Sequence, residues 1–144
     1  MATALQVVFD CADPAALGAF WAVALGYVEQ PSPDGFASWD AFLEQTGVPA
    51  DQRNSAYAVV DPDGAGPRIF FQKVPETKTV KNRVHLDLNV GGGPGTALED
   101  RKARLEAEAE RLVAVGASVV GPRSERDEYW MVMQDPEGNE FCVQ

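Results

Sequence analysis

The chain has 144 residues, 45% of them hydrophobic, a size that suits one domain with a single buried core. Acidic residues outnumber basic residues 22 to 12, and the net charge of −10 disfavours nucleic acid as a partner. The longest uncharged run, 14–28, is shorter than the roughly 20 residues of a membrane-spanning helix, so no membrane partner is expected. Two cysteines, Cys11 and Cys142, and a start without a secretory pattern predict reduced thiols in a cytoplasmic protein.

The chain begins with a strand followed by a helix. Leu5–Phe9 is an apolar run typical of a strand. Asp13 suits the N-cap of the helix, with Pro14 at its first position, and Gly26 suits its C-terminal stop. Apolar residues recur at helical spacing between these two signals, so we expect Trp21 to pack in the core.

A short strand, an insertion and two further strands come next. Tyr27–Gln30 is the expected second strand, and Pro31–Ser55 is the insertion, which contains a predicted helix at Trp39–Thr46. The insertion either covers a pocket as a lid or packs on the outside of the sheet. Tyr57–Val60 and Arg68–Gln72 are predicted strands on either side of an Asp-Pro-Asp-Gly turn.

The stretch Arg83–Val90 carries the only histidine in the chain. Because side chains alternate along a strand, His85, Asp87 and Asn89 share one face, and apolar residues share the other. These polar side chains can bind a metal or exchange protons, which indicates a pocket. The alternative is a structural or solvated histidine.

A second helix and three strands complete the chain. Ala97–Val115 is an amphipathic helix with charges of both signs on its outer face. Its predicted buried stripe consists of Leu98, Leu105, Ala109 and Leu112. The predicted strands that follow are Ser118–Val120, Trp130–Gln134 and Asn139–Val143.

The order of elements repeats as a βαβββ unit used twice, with module 1 at about 1–75 and module 2 at about 82–144 of a single domain. Each unit has an Asp-Pro-Xaa-Gly turn before its last strand. The equivalent positions are Gln6 with His85, and Gln72, or Phe70 of the same parity, with Cys142. We expect these side chains to meet around a common cavity.

The paired pattern, the Val-His-Leu-Asp-Leu strand and the C-terminal Asp-Pro-Glu-Gly-Asn-Glu-Phe-Cys resemble the vicinal oxygen chelate superfamily, and within it the glyoxalase-like and bleomycin-resistance-like proteins. The resemblance implies an α+β fold in which two βαβββ modules form an incomplete eight-stranded barrel, commonly as a homodimer. It also implies a divalent metal held at four positions, which here are Gln6, Gln72, His85 and Cys142. The family's usual carboxylate falls on Cys142, which leaves Glu140 and Asp87 as the candidate catalytic groups.

Two functions remain open from the sequence. The first is a small-molecule binder whose pocket includes Trp39, Tyr57, Phe70 and Trp130. The alternative is a metal-dependent lyase, isomerase or dioxygenase with a degenerate metal site. The acidic composition, with Asp10, Asp87 and Glu140 expected near the pocket, predicts cationic or neutral aromatic ligands.

Overall fold

The computed structural model describes residues 1–144, which divide into two compact units, Met1–Thr77 and Lys78–Gln144. The first unit contains β1 (Val7–Cys11), α1 (Pro14–Leu25), β2 (Val28–Glu29), α2 (Trp39–Gln45), a 3₁₀ turn (Ala50–Gln52), β3 (Ala56–Val60) and β4 (Ile69–Lys73). The second contains β5 (Asp87–Leu88), α3 (Leu98–Val113), β6 (Ser118–Glu125), β7 (Glu128–Gln134) and β8 (Glu140–Val143). None of the three α-helices combines the length and apolar character needed to cross a membrane.

The first unit is a four-stranded sheet in the order β1-β4-β3-β2, with β1 parallel to β4 and the other pairs antiparallel. The predicted caps of α1 are confirmed: the Asp13 Oδ1 atom accepts from the Ala16 amide at 3.2 Å, and Gly26 is left-handed with φ of 69°. Helix α1 packs on β3 and β4 and buries Trp21. The Phe9 ring lies 5.1 Å from the Trp21 ring and 5.3 Å from the Phe71 ring, centroid to centroid, which fixes the aromatic core on this face.

The second unit repeats this topology in the order β5-β8-β7-β6, again with its first strand parallel to its last. The two predicted turns are also alike, since the Gly64 amide donates to the Asp61 carbonyl at 3.0 Å and the Gly138 amide donates to the Asp135 carbonyl at 2.9 Å. The duplicated βαβββ architecture predicted from the element order is therefore confirmed, as two four-stranded sheets that are each open.

The strand that carries the polar face is shorter than predicted. The sequence pattern indicated a strand over Arg83–Val90, whereas regular pairing covers only Asp87–Leu88. By this register His85 lies opposite Glu140, the first residue of β8, but the Glu140 carbonyl accepts from the Asn82 Nδ2 atom at 3.0 Å. The residues before His85 lie beyond the start of β8. Parallel hydrogen bonds flank this pairing, from the Cys142 amide to the Leu86 carbonyl at 3.0 Å and from the Gln144 amide to the Leu88 carbonyl at 2.9 Å.

Two further predictions need correction in the second unit. Strand β6 extends to Glu125 rather than ending at Val120, because it pairs with β7 along a hairpin that closes at Glu125 and Glu128. Leu98 is 42% exposed and does not belong to the buried stripe, because it is the first residue of α3. The rest of the stripe, Leu105, Ala109 and Leu112, is buried as predicted.

Candidate functional site

Three potential metal ligands converge on one side of the second sheet. The alternation prediction holds here, since the His85 Nε2 atom lies 3.3 Å from the Asp87 Oδ1 atom. Asp87 is the register partner of Cys142 on β8, and the ligand atoms of all three residues lie within 4.8 Å of one another. The His85 and Asp87 side chains are 43% and 39% exposed, so the cluster is open to solvent on one side.

The protonation state of Cys142 depends on this setting. Burial, and then the neighbouring Asp87 carboxylate, raise the pKa of the Cys142 thiol above its ordinary value. The thiol is therefore the favoured form at neutral pH, and it donates a hydrogen bond to Asp87. Nitrogen, carboxylate oxygen and sulfur are all zinc ligands, and three protein ligands with one open position are typical of catalytic zinc sites. The donor set therefore fits a divalent ion that would displace the thiol proton.

Glu140 lies on the same side of β8 as Cys142 by strand parity, but its side chain has other partners. Its Oε2 atom accepts from the Asn82 amide at 3.0 Å and from the Lys78 Nζ atom at 3.1 Å. The Asn82 hydrogen bond is the main cause that lowers the pKa of Glu140 to about 2. A carboxylate with so low a pKa is a weak proton acceptor, and this one instead anchors the segment that precedes His85.

The two candidate ligands of the first unit are also engaged. The Arg68 Nη1 atom donates to the Gln6 Oε1 atom at 2.7 Å, and the Gln72 Nε2 atom donates to the Asp10 Oδ1 atom at 2.6 Å. A guanidinium group on Gln6 disfavours a cation at the same oxygen, because like charges repel. In the described structure, Gln6 and Gln72 thus hold neighbouring side chains of their own sheet.

The sheet registers also decide which positions of the two modules correspond. If Gln6 is equivalent to His85, then Val8, two residues later, is equivalent to Asp87. Val8 pairs with Phe70 on β4, and Asp87 pairs with Cys142 on β8. The equivalent of Cys142 is therefore Phe70, the second of the two alternatives, and an apolar ring occupies that position in the first module.

A cavity of about 640 Å³ lies in the first unit, between strands β2, β3 and β4 and the insertion, with Ala15 from the first turn of α1 also in its lining. Ala56, Ala58 and Phe70 form part of its floor, and Trp39 and Leu43 from the insertion line the other side. The remaining lining residues are Ala15, Glu29, Asp40, Val48, Ala50, Gln52, Arg53, Asn54, Ser55, Tyr57 and Arg68. The Trp39 Nε1 atom donates to the Gln30 carbonyl at 2.6 Å, which ties α2 to the chain just after β2.

Three of the four aromatic residues predicted for a pocket therefore line this cavity. Tyr57 lines it only at the edge, because its ring packs against Gly18 of α1. The ring is so close that a Cβ atom at position 18 would lie 2.2 Å from the Tyr57 Cδ1 atom. Trp130 lies on β7 in the second unit and is not part of the lining.

The charges of the cavity differ from those expected from composition. None of the acidic residues expected near a pocket, Asp10, Asp87 and Glu140, lines it. The lining instead contains two arginines, Arg53 and Arg68, with Glu29 and Asp40. Sequence reasoning missed Arg68, although it has the same strand parity as Phe70 and could have been placed on the cavity face for that reason.

Comparisons with known proteins agree with this architecture. The glyoxalase-like domain profile matches residues 6–144. No curated protein matches the sequence.

Solved structures with the same fold include three bacterial proteins. A glyoxalase/bleomycin resistance protein/dioxygenase family enzyme from Burkholderia phytofirmans is 18% identical, with a TM-score of 0.60 and coverage of 96% of this chain and 94% of that one. A glyoxalase-related enzyme from Fulvimarina pelagi is 12% identical, with a TM-score of 0.61 and coverage of 99% and 87%. A variant of the fosfomycin resistance protein FosX from Listeria monocytogenes, complexed with Mn(II) and a dihydroxypropylphosphonic acid, is 13% identical, with a TM-score of 0.62 and coverage of 100% and 90%.

At these identities the solved structures establish the fold alone. The profile match covers nearly the whole chain and includes both βαβββ modules. The chain therefore belongs to the glyoxalase-like domain family of the vicinal oxygen chelate superfamily.

Proposed function

We propose that this protein binds a small, largely apolar organic molecule in the cavity of its first module. The observation that carries the proposal is the cavity itself, about 640 Å³ lined mainly by alanine, aliphatic and aromatic side chains. Ligand sites commonly have volumes of about 300–1,000 Å³ and a few polar groups among apolar ones, which is the composition of this lining.

The sequence leaves room for a ligand at this place. Ala56 and Ala58 occupy cavity-facing positions on β3, where β-branched or aromatic residues would fill the space. Helix α2 has no fully buried residue, and its attachments include the Trp39 hydrogen bond and the Arg53–Asp40 ion pair at 3.0 Å. We therefore assign the insertion the role of a cover that closes over the bound molecule.

Tryptophan fluorescence provides a direct test. Of the three tryptophans, Trp21 is buried in the core and Trp39 lines the cavity, so a cavity ligand should change the emission of Trp39. We expect aromatic fragments that quench the wild type to have no effect on Trp39→Phe and to keep their effect on Trp130→Phe. Fragments that quench through Trp130 instead would contradict the proposal.

A cavity-filling variant tests the same point without removing an aromatic ring. Ala58→Leu should weaken fragment binding by at least about tenfold, because the larger side chain occupies space at the floor of the cavity that the ligand needs. Ala107→Leu, the same change on the exposed face of α3, is the matched control and should bind as the wild type does. Equal binding by both variants would refute the cavity as the site.

The second candidate is a divalent-metal-dependent lyase, isomerase or dioxygenase activity. The observation that favours it is the convergence of His85, Asp87 and Cys142 within 4.8 Å. A metal bound there would supply Lewis-acid polarisation of a substrate oxygen. His85 and Cys142 would hold the ion, Asp87 would either ligate it or move a proton, and Glu140 would hold the preceding segment in place.

Metal content separates the two candidates. If the second candidate is right, protein purified without chelator should contain nearly one equivalent of zinc, nickel, manganese or iron. Inductively coupled plasma mass spectrometry measures this metal content. His85→Ala and Cys142→Ser should lose the metal, and Cys11→Ser, which changes the other buried free cysteine, should retain it. Metal-free wild-type protein that also fails to take up added ions would exclude the second candidate.

Assembly as a homodimer remains a proposal from the family resemblance. Sedimentation equilibrium of the purified chain measures it directly, and a mass of about 15.5 kDa, that of one chain, would contradict it.

A further inference from the structure

We infer that the cavity ligand carries a carboxylate and that Arg68 is the residue that recognises it. This inference rests on the proposed function, because it specifies the chemistry of the molecule that the cavity takes. It makes the ligand an amphipathic monoanion, an aryl or alkyl carboxylate, whose apolar part lies between Trp39 and Phe70.

Arg68 is a cavity residue whose contacts are all with uncharged groups. Its Nε atom donates to the Gln30 Oε1 atom at 2.5 Å, and its Nη1 atom donates to the Gln6 Oε1 atom at 2.7 Å. Its Cζ atom lies 5.0 Å from the centroid of the Phe70 ring. No carboxylate lies within 4.0 Å of its guanidinium nitrogens, so its positive charge has no ion-pair partner in the protein.

The geometry of these contacts leaves Arg68 able to bind an anion. A guanidinium carries more N–H donors than the two that Gln6 and Gln30 use, and its planar fork matches a carboxylate. The two glutamine bonds and the Phe70 ring hold the group in place, so little side-chain entropy remains to be lost when the anion binds. The position of the guanidinium over the Phe70 ring also places the charge beside an apolar surface that an aromatic ligand can share.

The other charges of the cavity do not offer the same site. Arg53 is already neutralised, with its Nη1 atom 3.0 Å from the Asp40 Oδ1 atom and its Nε atom bonded to the Val48 carbonyl at 3.1 Å. Glu29, on β2, is exposed and negatively charged. Burial is the main cause that raises the pKa of Tyr57, and the Glu29 charge raises it further. Arg68 is therefore the cation of the cavity that remains available, and the charges that make up the net −10 elsewhere on the surface are screened by salt over about 8 Å.

Matched ligands test the inference. The probes are 4-phenylbutyrate, 2-naphthylacetate and biphenyl-4-carboxylate, each with its primary amide and its alkylammonium analogue, titrated calorimetrically into the purified chain. We expect each carboxylate to bind at least about tenfold more tightly than its amide, because hydrogen bonds between charged groups are the stronger class. The alkylammonium analogues should bind most weakly.

Two variants locate the preference. Arg68→Met should reduce the ratio of carboxylate to amide affinity to about one while leaving amide binding in place. Gln6→Glu keeps the shape of the side chain and puts a carboxylate beside the Arg68 Nη1 atom. It should also reduce the ratio of carboxylate to amide affinity to about one, and it provides the test if Arg68→Met does not fold. Gln45→Glu on the exposed surface of α2 adds the same charge outside the cavity and should keep the wild-type ratio.

The outcomes distinguish this inference from the proposed function. If amides or alkylammonium compounds bind in the cavity as tightly as carboxylates, the assignment of Arg68 is overturned and the binding function stands. A carboxylate preference that survives in both Arg68→Met and Gln6→Glu also overturns it. If none of the probes binds the wild type and Trp39 fluorescence never changes, both proposals fail.

Discussion

Glu140→Gln should lower the free energy of unfolding at neutral pH, and the loss should disappear in acid. The Glu140 carboxylate accepts from the Asn82 amide at 3.0 Å and from the Lys78 Nζ atom at 3.1 Å. These contacts lower its pKa from 4.5 to about 2 in the folded protein. Because the folded pKa is lower than the unfolded one, the stabilisation is fully present above about pH 4.5 and is lost as the pH falls towards 2.

The expected size of the effect follows from this shift and from the exposure of the pair. At about 1.4 kcal/mol per pKa unit, the lowering from 4.5 to about 2 would correspond to about 3.5 kcal/mol. The side chains of Glu140 and Lys78 are 17% and 26% exposed, so solvent screens part of the interaction. The glutamine also retains an oxygen that can accept from Asn82. We therefore expect a loss of about 1–2 kcal/mol at pH 7.

Urea denaturation followed by circular dichroism, at pH 7 and at a series of values down to pH 3, measures the difference between wild type and variant. Glu110→Gln, on the exposed side of α3, is the control and should show little difference at any pH. A difference for Glu140→Gln that is the same at pH 7 and pH 3 would refute the argument. So would a pKa of 4 or more for the Glu140 carboxyl group in an NMR titration of the folded protein.

Four other substitutions, at Gly18, Asp135, Asp61 and Leu112, should change the unfolding free energy in the same assay. Gly18→Ala should cost about 1–3 kcal/mol despite the better helix propensity of alanine, because its Cβ would lie 2.2 Å from the Tyr57 ring; a neutral result would show that the ring moves aside freely. Asp135→Ala should cost about 2–3 kcal/mol and Asp61→Ala clearly less. Each carboxylate accepts from three donors of its turn, but Asp135 is only 3% exposed whereas Asp61 is partly exposed; equal losses would contradict this. Leu112→Ala should cost about 2–5 kcal/mol because the side chain is fully buried, and a loss below 1 kcal/mol would mean that α3 packs loosely.

Local sequence signals were sufficient for the type and order of the elements and for their repetition. Asp13 and Gly26 end α1 as predicted, because an N-cap side chain and a left-handed glycine act within one turn of the helix. The two Asp-Pro-Xaa-Gly turns close as predicted because their hydrogen bonds join residues only three apart. Strand alternation also placed His85 and Asp87 together, since a period of two depends only on the backbone.

Partners distant in sequence required the tertiary structure. Arg68 reaches Gln6 across 62 residues, and Lys78 reaches Glu140 across 62 residues. Gln6 and Glu140 were both expected to serve a functional site. Each instead forms a hydrogen bond with a basic side chain that only the folded structure brings close. The length of β5 was decided in the same way, because the Glu140 carbonyl opposite His85 accepts from the side chain of Asn82.

The cavity was the least predictable feature of the molecule. The sequence identified Trp39 and Phe70 as aromatic candidates, but not that the insertion lies over the face of β3 where Ala56 and Ala58 leave space. Composition predicted an acidic site, since net charge is a sum over the whole surface. The character of a cavity depends on the few side chains that the sheet register turns towards it, and here that register places Arg68 beside Phe70 with no carboxylate partner.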